Sequence, residues 1–148
     1  MPIIDVQEHC MQHTPPPPIV TSEVRIVDAA GAPRILMSAA KGTPSIVLTG
    51  RDAKPAVTVQ LDEQDRPSVK LANPVAGGPT AAIEIDDKGA HVKFDRAGGA
   101  SSYLFLNNAG VSGMVLVASQ GVRRVSVLVA ADGKVTIDGL NGKATTAP

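Results

Sequence analysis

A unit of about 22 residues, strand–turn–strand–turn, recurs along most of this chain and limits what it can fold into. The first apolar pairs of successive units are Val24/Ile26, Ile46/Leu48, Val69/Leu71, Val92/Phe94, Met114/Leu116 and Val135/Ile137, at steps of 22, 23, 23, 22 and 21 residues. Halfway through each unit lies a second set: Ile35/Met37, Val57/Val59, Ile83/Ile85, Tyr103/Phe105 and Val125/Val127. Similarity at a fixed period marks a repeat architecture. Within each run apolar residues alternate with period two and β-branched residues are common, which predicts short strands.

Turn-forming residues punctuate the runs. Asp28-Ala29-Ala30-Gly31, Asp86-Asp87-Lys88-Gly89 and Asn107-Asn108-Ala109-Gly110 share a D/N-x-x-G pattern, and Asp132-Gly133 is a tighter version. An Asp or Asn at the first position bonds the backbone ahead of it, and Gly at the fourth supplies a positive φ. Pro33, Pro44, Pro55, Pro67 and Pro79 fall in turns or at strand starts, where a missing N–H costs little. Eleven strands are predicted, near 23–27, 34–39, 45–49, 56–61, 68–72, 81–85, 91–95, 102–106, 114–118, 124–130 and 134–138. The fold class is therefore all-β.

Two architectures satisfy this pattern. One is an up-and-down β-meander; eleven strands would span about 50 Å, wide enough that such a sheet should close into a barrel or associate. The other is a β-helix or β-solenoid with one coil per unit, from one chain or wound from three. One unit cannot bury enough apolar surface to order itself, so assembly belongs to the fold. The strands are apolar on one face nearly throughout. The other face holds Arg25, Lys70, Glu84 and Lys93, together with Val47, Val115 and Leu128. Leu104 and Leu106 extend this second face, making strand 102–106 apolar on both sides, as expected of a strand buried on both. With no helix to cover it, the expected cover is another subunit, and a homotrimer is favoured.

With its D-x-x-G turns at a constant interval, as in Asp28–Gly31 and Asp86–Gly89, the chain resembles, at the level of repeats, the β-repeat shafts of phage tail fibres and bacterial surface fibres. The resemblance covers residues 23 to about 140 and implies a self-assembling, commonly trimeric, structural role.

The remaining segments are short. Residues 1–18 read as an N-terminal tail: a short helix with Ile3, Val6, Cys10 and His13 at 3-4-3 spacing, then a stiff spacer of Pro15 to Pro18. The repeat domain is 19–140, and 141–148 is read as a disordered C-terminal tail. Cys10 is the only cysteine, so no intrachain disulfide forms. The N-terminus carries acidic residues and lacks the apolar core of a cleaved leader. No run approaches the roughly 20 apolar residues of a spanning helix. The expectation is a soluble protein in the cytosol, in a phage particle, or exported without a leader.

Fourteen basic and fourteen acidic residues cancel, which gives no electrostatic case for nucleic acid or an anionic membrane. Arg123-Arg124 is too small a cluster for a nucleic-acid footprint. His9, Cys10 and His13 are the densest set of metal-ligand types, with the two histidines at i, i+4. They do not close a zinc site alone, although three copies of His13 around a threefold axis would supply one. Ser101 or Ser102 with His91 and Asp95 lacks the G-x-S-x-G elbow of a hydrolase, and His91 reads as a solvated strand-start residue. Asp62-Glu63-Gln64-Asp65 and Asp86-Asp87 lack calcium-loop spacing and read as turns. Gly77-Gly78 and Gly98-Gly99 have no phosphate-loop context. Phe94, Tyr103 and Phe105 are the only aromatics, so Tyr103 is the one platform for a sugar. The sequence thus assigns no catalytic residue and no cofactor. Its leading reading is a non-enzymatic structural module that binds itself; the alternative is a small β-barrel or sandwich binding a glycan or small ligand.

Overall fold

The computed structural model describes residues 17–139, and these form one sheet. Its strands are β1 (Glu23–Val27), β2 (Pro33–Ser38), β3 (Ser45–Thr49), β4 (Pro55–Leu61), β5 (Pro67–Leu71), β6 (Thr80–Ile85), β7 (Gly89–Asp95), β8 (Ser101–Asn107), β9 (Ser112–Val117), β10 (Arg123–Val129) and β11 (Val135–Asp138). They lie in sequence order, each antiparallel to the next. The described chain is therefore a meander. The sheet is open, with β1 and β11 as its edges.

One turn geometry builds most of it. In the loops starting at Asp28, Gly50, Asp62, Arg96, Asn107 and Ala130, the first N–H donates to the carbonyl of the fifth residue. The fourth N–H returns to the first carbonyl. The fourth residues are Gly31, Ala53, Asp65, Gly99, Gly110 and Gly133, all at positive φ. This is the type I turn with a bulge that joins strands of right-handed twist. In three of these turns the first side chain adds a clamp: Asp28, Asp62 and Asn107 each accept from the N–H groups two and four residues ahead. The D/N-x-x-G pattern identified two of these six loops; in the others the backbone reaches the same shape with other residues.

Turns of constant geometry hold the register, and the register makes rows. Val24, Met37, Ile46, Val59, Val69, Ile83, Val92, Leu104, Met114, Val127 and Ile137 are successive cross-strand partners, one per strand from edge to edge. A parallel row runs from Ile26 through Ile35, Leu48, Val57 and Leu71 to Ala81 and Phe94. These rows form the apolar face. The opposite face carries Arg25, Leu36, Val47, Thr58, Lys70, Ala82, Lys93, Tyr103, Val115, Ser126 and Asp138 in one row.

The expected assignment of β8 is corrected here. Leu104 and Leu106 stand on the apolar face, and Tyr103 and Phe105 stand on the polar one. A strand apolar on both sides cannot choose its face by hydrophobicity, so its neighbours choose for it. Asp95 pairs with Ser101 and Gly89 with Asn107, and that register settles the matter.

No second layer covers either face within the described residues. Val115 and Ser126, both on the polar face of β9 and β10, are the only fully buried side chains among the described residues, at 1% and 0% exposed. Beside them Gly113 lies between Phe105 and Leu128. A Cβ there would come within 2.6 Å of Leu128 Cδ2 and of the Val127 carbonyl, and within 3.2 Å of Phe105. The missing side chain lets Phe105 and Leu128 close over the strand.

Two substitutions test this account by thermal melts. Gly113→Ala should destabilise by about 1–3 kcal/mol, since backbone and ring must both move. Ala53→Gly should stabilise by about 0.5–1 kcal/mol, because alanine sits in a left-handed conformation at φ 60° that glycine adopts without strain.

Candidate functional site

The two faces offer different chemistry. The apolar face is uncovered: Phe94 is 51% exposed, Ile83 and Leu104 are 59%, and Ile137 is 53%. Half-exposed aliphatics are ordinary one at a time, but here they are contiguous, and an apolar patch that exceeds a few hundred Å² marks an interaction surface. At ~4.8 Å per strand and ~3.4 Å per residue, eleven strands of about five residues present a face of roughly 50 by 17 Å. Over β6 to β10, Ile83, Ile85, Leu104, Leu106 and Met114 line a shallow groove in it.

On the polar face, ions are paired both across and along strands. Glu84 of β6 receives Lys70 Nζ from β5 at 3.1 Å and faces His91 Nε2 on β7 at 3.2 Å. Glu84 and His91 are directly opposed in the ladder. Burial acts to raise the Glu84 carboxyl, and the bonds from Lys70 and His91 outweigh it, leaving its pKa below the ordinary 4.5. Lys93 Nζ lies 2.7 Å from Asp95, whose carboxylate holds the ammonium above its usual value. In the turns, Asp62 accepts from Arg66 Nε at 2.8 Å. The Arg66 backbone N–H does most to lower the Asp62 pKa, and that of Lys88 does the same for Asp86.

These placements decide the sequence candidates one by one. His91 is the third residue of β7, and its side chain is 18% exposed and bonded to Glu84; the solvated strand start is corrected accordingly. The strand begins earlier because the tight turn ends at Gly89, whose carbonyl accepts from the Asp86 N–H. Asp95 is engaged by Lys93. Ser102 lies on the apolar face, opposite Phe94, and Ser101 lies opposite Asp95. Serine, histidine and aspartate therefore do not form a relay. Asp62 and Asp86 spend their carboxylates on turn N–H groups. Gly77, Gly98 and Gly99 all take positive φ in loops. Among the described residues, no three His, Cys, Asp or Glu side chains converge as a metal site. His9, Cys10 and His13 lie outside those residues. No helix in the described part is long and apolar enough to cross a membrane.

Sequence reasoning missed the Lys70–Glu84–His91 cluster. A signal for half of it was present: Glu84 and His91 are equidistant from the centre of the Asp86–Gly89 turn, so a tight hairpin there must oppose them. Tyr103 and Arg123 are 20 residues apart in the sequence, and the sheet brings them together, with the guanidinium Nη2 3.4 Å from the phenol oxygen.

No protein-family model, curated protein or solved structure matches this chain. The site is therefore read from its own geometry.

The Glu84 cluster sets a pH dependence. A carboxyl with a lowered folded-state pKa stabilises fully above its ordinary value and loses that contribution as pH falls through the folded one. Glu84→Gln should lower stability at pH 7 by about 1 kcal/mol or less, as partly exposed pairs do. The gap from the parent should close as pH drops below 4.5. Melting temperatures of both proteins across pH 2–7, taken as an approximate range that brackets carboxyl titration, measure this directly.

Proposed function

We propose that the chain is a non-enzymatic structural module that self-associates as a homotrimer, forming part of a fibre, spike or surface assembly. The observation carrying this reading is the apolar face, continuous from Val24 to Ile137 and without a cover in the described chain. Its area, roughly 850 Å², matches the ~800 Å² that each partner contributes to a standard interface.

Simple geometry favours three copies. Let three such sheets form the walls of a triangular prism, with strands along the sides and the stacking direction along the axis. A side of ~17 Å puts the centre ~5 Å from each wall, half of the ~10 Å separation of packed sheets. Side chains of Val, Ile, Leu and Met would fill that interior, with little room for larger rings. Strand-to-strand twist, about 20–25° per step, would turn all three walls together about the axis. Phe94 is the only aromatic on the apolar face, which fits so narrow a core. The repeat-level resemblance to fibre shafts supports the same reading.

Light scattering on a size-exclusion column should give a mass close to three times 15.2 kDa. Leu104→Asp, on β8 in the row that runs from Val24 to Ile137, should disperse that species to monomers or unfold it. The proposal fails if the parent protein is a stable monomer.

A further inference from the structure

The polar face carries a second feature, independent of the assembly reading because it lies on the opposite side of the sheet. Over β7 to β10 a cleft of about 510 Å³ is lined by Lys88, His91, Lys93, Tyr103, Phe105 and Arg123. Its floor includes Val115, which is 1% exposed. The Tyr103 and Phe105 rings sit 5.9 Å apart, tilted by 42°.

The charges are unbalanced in a specific way. Lys93 is neutralised by Asp95, and His91 faces Glu84. Lys88 and Arg123 have no carboxylate partner among the described residues, and Arg123 instead reaches Tyr103 Oη. Asp86 is the single acid lining the cleft, and its Oδ1 accepts from the backbone N–H groups of Lys88 and Gly89. The cleft thus presents an aromatic wall, two cations outside any ion pair among the described residues, one of them near the Asp86 carboxylate, and the amide of Asn107.

We infer that this cleft binds a carboxylated saccharide. A sugar ring offers an apolar face to Tyr103 and Phe105. A carboxylate of one sugar unit meets the planar fork of Arg123, which suits carboxylates better than a point charge does; Lys88, toward the other end of the strands, meets that of another unit of an oligomer. The sugar hydroxyls can pair with Asn107 Nδ2 and His91 Nδ1, the atoms left over among the described residues once Asn107 Oδ1 accepts from its turn and His91 Nε2 faces Glu84; an aromatic acid of the same charge offers those atoms no hydroxyl. A neutral sugar would leave both cations unused.

The protein contains its own reporter: Tyr103 is the only tyrosine and there is no tryptophan, so tyrosine fluorescence comes from the cleft alone. Titration of the full chain with trigalacturonate should change that fluorescence saturably, with a Kd in the millimolar range or tighter, roughly −4 kcal/mol or beyond. Arg123→Gln should weaken binding about tenfold or more, as expected for loss of a charge-assisted bond. Arg51→Gln, in the loop between β3 and β4 and outside the cleft lining, should bind as the parent does. Tyr103→Ala, followed by calorimetry, should abolish binding while the circular-dichroism spectrum stays that of a β-sheet. The inference is overturned by any of four results: no saturable change up to about 10 mM, equal binding of the neutral galactose trisaccharide, benzoate binding as tightly as trigalacturonate, or equal losses for Arg51→Gln and Arg123→Gln.

Discussion

A sheet has two faces, and the consecutive hairpins of residues 17–139 supply no second layer to cover either. That constraint shapes everything else in this molecule. The backbone ladder satisfies most of its hydrogen bonds within the sheet, interrupted by bulges between β1 and β2, β3 and β4, and β9 and β10. Burial is not. Among the described residues only the Val115 and Ser126 side chains leave solvent fully, while the aliphatic rows remain half-open. Hydrogen bonds contribute modest net stability because water competes for the same groups. A sheet of this kind gains most from whatever occludes its apolar face. The self-association proposed above meets that need with material the chain itself supplies.

Repetition of one turn makes the face continuous. Each bulged loop fixes how many residues separate a side chain from its partner, and an error of one residue would turn a whole strand over. Six loops share the same pair of backbone bonds, so rows begun at Val24 arrive at Ile137 without a break. The loop between β5 and β6 is longer, yet the ladder resumes with Val69 opposite Ile83 and the row intact. Local backbone geometry thus sets the long-range pattern.

On the polar face the same register does chemical work. It sets Glu84 across from His91 and beside Lys70, and it sets Tyr103 beside Val115 with Arg123 within reach. Ion pairs occupy most of the cations there. The cleft over β7 to β10 stands out because Arg123 and Lys88 are left over beside the only pair of neighbouring aromatic rings. Assembly through one face and recognition through the other are compatible uses of a single sheet.

The sequence by itself determined that residues 17–139 are all-β, how many strands they form and where each lies to within a residue or two. Period-two apolarity and turn-forming residues are local signals, and both act over fewer than ten residues. It also determined that one face is apolar, because alternation records burial. Only the tertiary structure decided between coil and hairpin connection, because both use the same local strands and differ solely in which strands bond to each other. It alone decided which side of β8 faces which way, since Ser101 to Asn107 is apolar on both and only pairing with β7 and β9 breaks the tie. It alone joined Tyr103 to Arg123 and Lys70 to Glu84, because residues 14 to 20 positions apart become neighbours only once every intervening register is set.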